Sequence, residues 1–166
     1  MTATALLDTD HINTDKPPFI LVDGSYYMFR NFHALPVTMQ TTQGLHTNSI
    51  RGTLNALKKL MEKYRPTHMA VAFDTKAPTF RHKLSPIYKG DRPEMPAELA
   101  EQIPYIHKMI QAMGIPLLAI EGVEADDIIG TLAHRACLEG HHVIISTGDK
   151  DMCQLVLSLI HISEPT

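Results

Sequence analysis

The chain has 166 residues, 44% of them hydrophobic and 20% charged, which is the composition of one globular domain with a core. Its net charge of −3, taken alone, argues against a nucleic-acid partner, and no apolar run approaches the roughly 20 residues of a membrane-spanning helix. We therefore expect no membrane partner. Cys137 and Cys153 form no CxxC pair, so we expect a reduced, cytoplasmic protein. Residues 1–16 lack the pattern of a signal peptide and predict a disordered leader.

Short apolar runs alternate with amphipathic helical patterns along the chain. In chain order, the predicted elements are a strand at Phe19–Val22, a helix at Asn48–Tyr64, a strand at Met69–Phe73, a helix at Leu99–Met113, a strand at Ile115–Ile120, a helix from Ile128 to about Gly140 and a strand at Val143–Ser146. Pro104 should kink or split the second helix, because proline lacks a backbone donor. The alternation predicts an α/β fold with a mostly parallel central sheet flanked by helices.

Acidic residues follow all four predicted strands. They are Asp23, Asp74, Glu124, Asp126, Asp127, Asp149 and Asp151. In parallel sheets, ligands bind beyond the carboxyl ends of the strands, so we expect these acids to converge on one edge. Carboxylates without His or Cys select Mg²⁺, Mn²⁺ or Ca²⁺ over zinc, and seven acids suit two ions about 4 Å apart, which clamp the oxygens of a phosphodiester.

The alternative for each acid is a structural one. An aspartate after a strand is often the N-cap of the next helix, and an acidic first turn suits the helix dipole. Asp149 and Asp151 fit that role, and so do Asp126 and Asp127. The repetition of the pattern at four strand ends favours the metal site.

A basic and aromatic segment begins directly after Asp74. Between Thr75 and Pro93 five cations face a single acid, and the cations are Lys76, Arg81, Lys83, Lys89 and Arg92. The rings of Phe80, His82 and Tyr88 are interleaved with them. Cations bind phosphates and aromatic faces stack on unpaired bases, so the segment predicts a nucleic-acid contact. The alternative is a solvated basic loop.

Six short motifs, in this order, resemble those of the 5′-nuclease family. They are LVDGS, VAFD, TFR, YKGDRPEMP, GVEADDIIGTLA and STGDKDM. The resemblance runs from about Phe19 to Val156, and it is strongest to the N-terminal 5′→3′ exonuclease domains of bacterial DNA polymerase I, with flap endonucleases as further relatives. It implies a PIN-like fold in which residues 75–113 form a helical arch segment.

The resemblance also implies roles for individual residues. The implied ligands of a first metal ion are Asp23, Asp74, Glu124, Asp126 and Asp127, and those in the shell of a second are Asp149 and Asp151. Lys89 and Arg92 would be catalytic at the scissile phosphate, and DNA would be bound by Arg81, Lys83, Tyr88, Lys89 and Arg92. The implied protein is a monomeric hydrolase with two Mg²⁺ ions, replaceable by Mn²⁺, which acts on DNA 5′ ends, flaps and nicks in replication and repair. The resemblance further implies a polymerase domain in the same native protein.

The end of the chain departs from the family pattern. The family continues with a further strand, another aspartate pair and a helix–hairpin–helix element, none of which is expected here. Residues 157–166 (LSLIHISEPT) resemble translated adapter sequence and predict a non-native tail, so 17–156 would be the N-terminal part of the domain. A fragment without the last acids would have low activity, which leaves a catalytically incomplete DNA-binding fragment as an alternative.

Two other classes of protein use strand-end aspartates. A phosphatase of the haloacid dehalogenase type needs DxD directly after its first strand, where this chain has Asp23, Gly24 and Ser25. A receiver domain needs an acid pair after its first strand, whereas Asp126 and Asp127 follow the third. Both alternatives are disfavoured for these reasons.

Overall fold

The computed structural model describes residues 16–85, 87, 94–155 and 160–163. Its sheet has five strands, all parallel, namely β1 (Phe19–Asp23), β2 (His68–Ala72), β3 (Leu117–Leu118), β4 (Val143–Ser146) and β5 (Ile160–Ser163). The strand order is β3-β2-β1-β4-β5, so the direction of winding reverses between β1 and β4. The predicted α/β fold is confirmed. Strand β3 is shorter than the predicted run Ile115–Ile120.

Six α-helices and one 3₁₀ helix connect these strands within the described ranges. They are α1 (Gly24–Ala34), α2 (Asn48–Tyr64), α3 (Phe80–Leu84), α4 (Ala97–Ala100), α5 (Ile103–Ala112), α6 (Ala125–Leu138) and the 3₁₀ helix Lys150–Leu155. Helix α2 has the predicted bounds. The pattern over 99–113 is split as predicted, and Pro104 lies in the first turn of α5, where its missing N–H is not needed. Helices α1 and α3 were not predicted.

Helix α1 begins without a loop, directly where β1 ends. Asp23 is its N-cap, and the Asp23 side chain accepts a hydrogen bond from the Tyr26 N–H. A Cβ at Gly24 would lie 2.6 Å from the Phe73 ring and 2.7 Å from a methyl of Val71, so only glycine allows this close approach to β2. The sharp turn fixes Asp23 at the edge of the sheet.

The sheet is buried on both faces. Ile20 and Val22 of β1 belong to a core shared with α1, α2 and α5, whereas Leu21 faces the core that α6 covers. The same division holds in β4, where Ile144 packs on the first side and Ile145 on the second. Burial on both faces explains why the strands are continuous apolar runs rather than alternating ones.

The fifth strand lies in the segment predicted to be a non-native tail. Ile160–Ser163 pairs with β4 in register, with Val143 opposite Ile160 and Ser146 opposite Ser163. The expectation of no further strand after β4 was therefore wrong. An apolar run beside an open sheet edge is sufficient for such pairing, and the origin of 157–166 stays a prediction. In the described part of the chain, every helix is too short or too polar to cross a bilayer.

Candidate metal and nucleic-acid site

A cleft of about 510 Å³ lies beyond the carboxyl ends of β1, β2 and β4, where the direction of winding reverses. Its lining residues are Asp23, Ser25, Tyr26, Phe29, Asp74, Glu124, Asp126, Gly148, Asp149 and Lys150. The structure thus brings five of the seven predicted acids to one place. Asp127 and Asp151 are not among the residues that line the cleft. Whether these acids bind metal stays a prediction.

Asp23 lies at the bottom of this cleft and only 5% of it is exposed. One carboxylate oxygen accepts from the Tyr26 N–H at 3.1 Å, and the other accepts from the Thr147 hydroxyl at 3.0 Å. Burial raises the pKa of the Asp23 carboxyl, the two hydrogen bonds lower it, and the negative charges of Asp74 and Asp149 raise it further. The net shift of the Asp23 pKa is upward. The hydrogen bonds from Tyr26 and Thr147 therefore do not fully offset the cost of burying the ionised carboxylate.

Asp74 links three elements at the end of β2. Its carboxylate accepts from the Ala125 N–H at 2.8 Å, at the N-terminus of α6. Its own N–H donates to the Ser25 hydroxyl of α1 at 2.9 Å. The backbone bond ties Asp74 to α1 and the side-chain bond ties it to α6, so Asp74 is held between the two helices.

The turn after β4 places Asp149 opposite Asp23. Thr147 accepts from the Asp149 N–H at 3.1 Å while its hydroxyl donates to Asp23. Asp149 in turn accepts from the Asp151 N–H at 3.0 Å, which is a capping contact at the start of the 3₁₀ helix. Asp151 is exposed. Asp149 therefore combines the capping role with a place in the cleft.

Glu124 and Asp127 are held by a cation of the basic segment. The Arg81 guanidinium in α3 donates to both carboxylates, at 2.5 Å to Glu124 and at 2.6 and 2.9 Å to Asp127. Glu124 is almost fully buried beside the cleft. The basic segment thus lies beside the acidic edge of the sheet, as predicted, and Arg81 makes the contact by binding carboxylates.

The remaining predicted DNA-binding residues divide into two groups. Lys83 is exposed on α3. Tyr88, Lys89 and Arg92 lie outside the described residues, as does the whole of the YKGDR motif. Their roles stay predictions.

Two aromatic side chains in the cleft were not singled out from the sequence. Tyr26 and Phe29 are three residues apart in α1 and therefore share a helix face. A Cβ at Gly148 would lie 2.0 Å from the Tyr26 hydroxyl oxygen, so the turn after β4 packs closely on this ring. The three-residue spacing of Tyr26 and Phe29, directly after Asp23, could have indicated them from the sequence. That spacing places them on one face only if the segment is a helix, and α1 was not predicted.

The chemistry of the cleft fits a divalent cation. Its oxygen donors are of the kind that Mg²⁺ and Mn²⁺ prefer. Burial raises the pKa of Asp23, the negative charges of Asp74 and Asp149 raise it further, and a cation in the cleft would neutralise that repulsion. Within the described ranges, no three Asp, Glu, His or Cys side chains are already grouped as in a formed metal site. A second cleft of about 530 Å³, near the opposite ends of the strands, has no carboxylate among its described lining residues.

Residues 18–165 match the family described as 5′-3′ exonuclease, N-terminal resolvase-like domain, and the chain belongs to this family. It is 50% identical over 141 residues to DNA polymerase I of Pseudomonas aeruginosa, which covers 85% of this chain and 15% of that protein. It is 41% identical over 144 residues to a 5′-3′ exonuclease of Buchnera aphidicola subsp. Baizongia pistaciae, covering 87% of this chain and 47% of that protein. The chain therefore spans less than half of either relative.

A similar fold occurs in the flap endonuclease D15 of bacteriophage T5, crystallised as a pseudo-enzyme-product complex with DNA and metal ions. The TM-score is 0.65 at 23% identity, over 88% of this chain and 54% of the phage protein. This likeness confirms the predicted 5′-nuclease fold.

Proposed function

We propose that the chain is part of a divalent-metal-dependent 5′→3′ exonuclease and structure-specific 5′ flap endonuclease that hydrolyses DNA phosphodiesters. The observation that carries the proposal is the cleft lined by Asp23, Asp74, Glu124, Asp126 and Asp149. Membership of the 5′-3′ exonuclease family supports the reaction class. Membership of this family does not favour the alternative of a haloacid-dehalogenase-type phosphatase.

We propose Mg²⁺ as the natural ion, in two copies, with Mn²⁺ as a substitute. Hard oxygen ligands select these ions, and the T5 relative was crystallised with metal ions. Asp23, Asp74, Glu124, Asp126 and Asp127 would hold one ion. Asp149 and Asp151 would contribute to the other. Bound ions would activate a water and stabilise the charge of the attacking and leaving oxygens.

The protein's own contribution is to orient these ligands. Thr147 and the Tyr26 N–H fix the two oxygens of Asp23, and the Ala125 N–H fixes Asp74. Such fixed orientation limits the reorganisation needed during the reaction. Because Tyr26 and Phe29 line the same cleft, they offer ring faces on which a terminal base could stack.

The basic segment would bind the DNA strand. Lys83 is exposed on α3, close in sequence to the Arg81 contact with the acidic edge, and Lys89 and Arg92 follow in the chain. Cations in this position would neutralise DNA phosphates, and Lys89 and Arg92 would stabilise charge at the scissile one.

We further propose a cellular role. DNA 5′ ends, flaps and nicks are the intermediates of replication and repair, and the Pseudomonas aeruginosa relative is a DNA polymerase I. The native protein would then be a monomer that joins this domain to a polymerase domain in the cytoplasm. The two cysteines, which form no disulfide, accord with that compartment.

The test is cleavage of a labelled 5′-flap DNA by the full-length protein of the parent gene. Asp126→Asn should lower Mg²⁺-dependent cleavage at least about 100-fold, because a ligand of the reacting centre is lost. Glu139→Gln, which changes an exposed acid at the other end of α6, is the matched control and should cleave normally. Cleavage that is unchanged by Asp126→Asn would refute the proposal. For residues 1–166 alone we expect low or absent turnover.

A further inference from the structure

One guanidinium serves two carboxylates at the start of α6. Arg81 Nη1 lies 2.5 Å from Glu124 Oε2 and 2.6 Å from Asp127 Oδ2, and Nη2 lies 2.9 Å from Asp127 Oδ1. Glu124 is the N-cap residue of α6 and also lines the carboxylate cleft. A residue of the basic segment therefore already binds an acid that the proposed function assigns to a metal ion.

This contact is partly shielded from water. The exposed fractions of the side chains are 8% for Glu124, 31% for Asp127 and 34% for Arg81. A buried carboxylate without a partner is costly, and charge-assisted bonds of a guanidinium are among the strongest available to it. Arg81 therefore neutralises the charge of Glu124, and a divalent cation entering the cleft must bind Glu124 more strongly than Arg81 does.

The position of Arg81 is set by the docking of α3. The Phe80 N–H donates to the Gly122 carbonyl in the turn before α6, and Thr79 and His82 form the capping box of the helix. The guanidinium also lies 4.6 Å from the centre of the Phe80 ring. Movement of Arg81 away from Glu124 would therefore act directly on α3, which is part of the basic segment.

We propose that Arg81 is a positioning residue that acts as an internal counter-cation for Glu124 and Asp127, and that a divalent ion competes with it for these carboxylates. The inference rests on the proposed function, since it assumes a divalent ion in the cleft. Arginine stays protonated at all ordinary pH values, so the exchange is of one cation for another. The released guanidinium can then donate to a DNA phosphate. Arg81 would thus contact the carboxylates before the ion binds and DNA afterwards.

The test is calorimetric titration of the purified 166-residue chain with Mn²⁺ alone. Arg81→Gln should lower the Kd for Mn²⁺ about tenfold, because both the competitor and its repulsion of the ion are removed. Lys83→Gln removes the same charge from the same helix without touching Glu124, and its Kd should stay within about twofold of the wild type. Arg81→Lys keeps the charge and should remain closer to the wild type than Arg81→Gln does. An Arg81→Gln Kd equal to or higher than that of the wild type would overturn the proposal.

A second measurement covers the case in which Arg81→Gln does not fold. Hydrogen exchange of the wild-type chain, with and without Mn²⁺, reports on the Lys83 and Ser85 amides, which donate to the carbonyls of Thr79 and Arg81. Saturating Mn²⁺ should accelerate their exchange severalfold, because α3 loses the Arg81 anchor. Unchanged exchange in the presence of bound Mn²⁺ would contradict the competition.

Binding of Mn²⁺ to the wild type and to Arg81→Gln separates the role of Arg81 from the proposed function. If neither the wild type nor Arg81→Gln binds Mn²⁺, no divalent ion competes with Arg81 in this chain and the inference is refuted, whereas the proposed function is tested separately by flap cleavage with the full-length protein. If the wild type binds Mn²⁺ but Arg81→Gln gains no affinity, the nuclease proposal stands and only the role of Arg81 is wrong.

Discussion

Replacing Asp23 by asparagine should stabilise the metal-free chain while impairing metal binding. Asp23 is 95% shielded from solvent, and its charge is opposed by burial and by Asp74 and Asp149. Asparagine is also a good N-cap, so the bond from the Tyr26 N–H can be kept. The substitution is therefore expected to remove the free-energy cost of burying an ionised carboxylate when no cation is bound.

The magnitude follows from two opposing effects. Loss of the charge weakens the bonds from Tyr26 and Thr147 by about 1 kcal/mol each, since hydrogen bonds to ionised groups are the stronger ones. Relief of desolvation and repulsion outweighs that loss, because the net pKa shift of Asp23 is upward. We expect a gain of about 1 kcal/mol, which raises the melting temperature of a domain this size by about 2–4 °C.

The assay is thermal unfolding followed by circular dichroism, in EDTA and then in excess Mg²⁺. Asp23→Asn should melt above the wild type in EDTA, and Mg²⁺ should stabilise the wild type more than the variant. Glu139→Gln, an exposed acid remote from the cleft, is the control and should follow the wild type in both buffers. A lower melting temperature of Asp23→Asn in EDTA would refute the reasoning.

The same residue predicts a pH dependence with a definite sign. The folded-state pKa of Asp23 is raised above its ordinary value of 3.8, so the folded state holds this proton more tightly than the unfolded state. Its contribution to stability is full below pH 3.8 and is lost as the pH rises through the folded-state pKa. In EDTA, the difference in stability between Asp23→Asn and the wild type should therefore grow as the pH rises through that window. A difference that shrinks with rising pH would contradict the sign.

Tyr27→Phe removes the buried contact of the Tyr27 hydroxyl with Ser146 at 2.6 Å and should cost about 1 kcal/mol in denaturant unfolding. Because burial raises the pKa of Tyr27 to about 12, the wild type should also lose stability between pH 10 and 12, a loss that the variant lacks. Gly148→Ala places a Cβ 2.0 Å from the Tyr26 hydroxyl and should cost about 1–3 kcal/mol by the same measurement. In a Tyr26→Ala background that cost should vanish, and its persistence there would show that the contact is not the cause.

Much of the fold could be predicted because it depends on neighbours in the chain. The apolar spacing over Asn48–Tyr64 gave the bounds of α2, and Pro104 predicted the break between α4 and α5. Helix α1 was missed because its position depends on Gly24 approaching Phe73, a contact between residues far apart in the chain. Strand β5 was missed because its apolar run was assigned to a tail, whereas pairing needs only an open edge beside β4.

The sequence by itself determined that acids follow each strand and that cations follow Asp74, and parallel strands then bring five of those acids to one cleft. Only the tertiary structure decided how each acid is used. Asp127, adjacent to Asp126, pairs with Arg81 from 46 positions away. Asp149 both lines the cleft and accepts a capping hydrogen bond from the Asp151 N–H, whereas the Asp151 side chain is exposed. The physical reason is that strand ends follow from local periodicity, whereas the partner of a side chain depends on how separate helices dock.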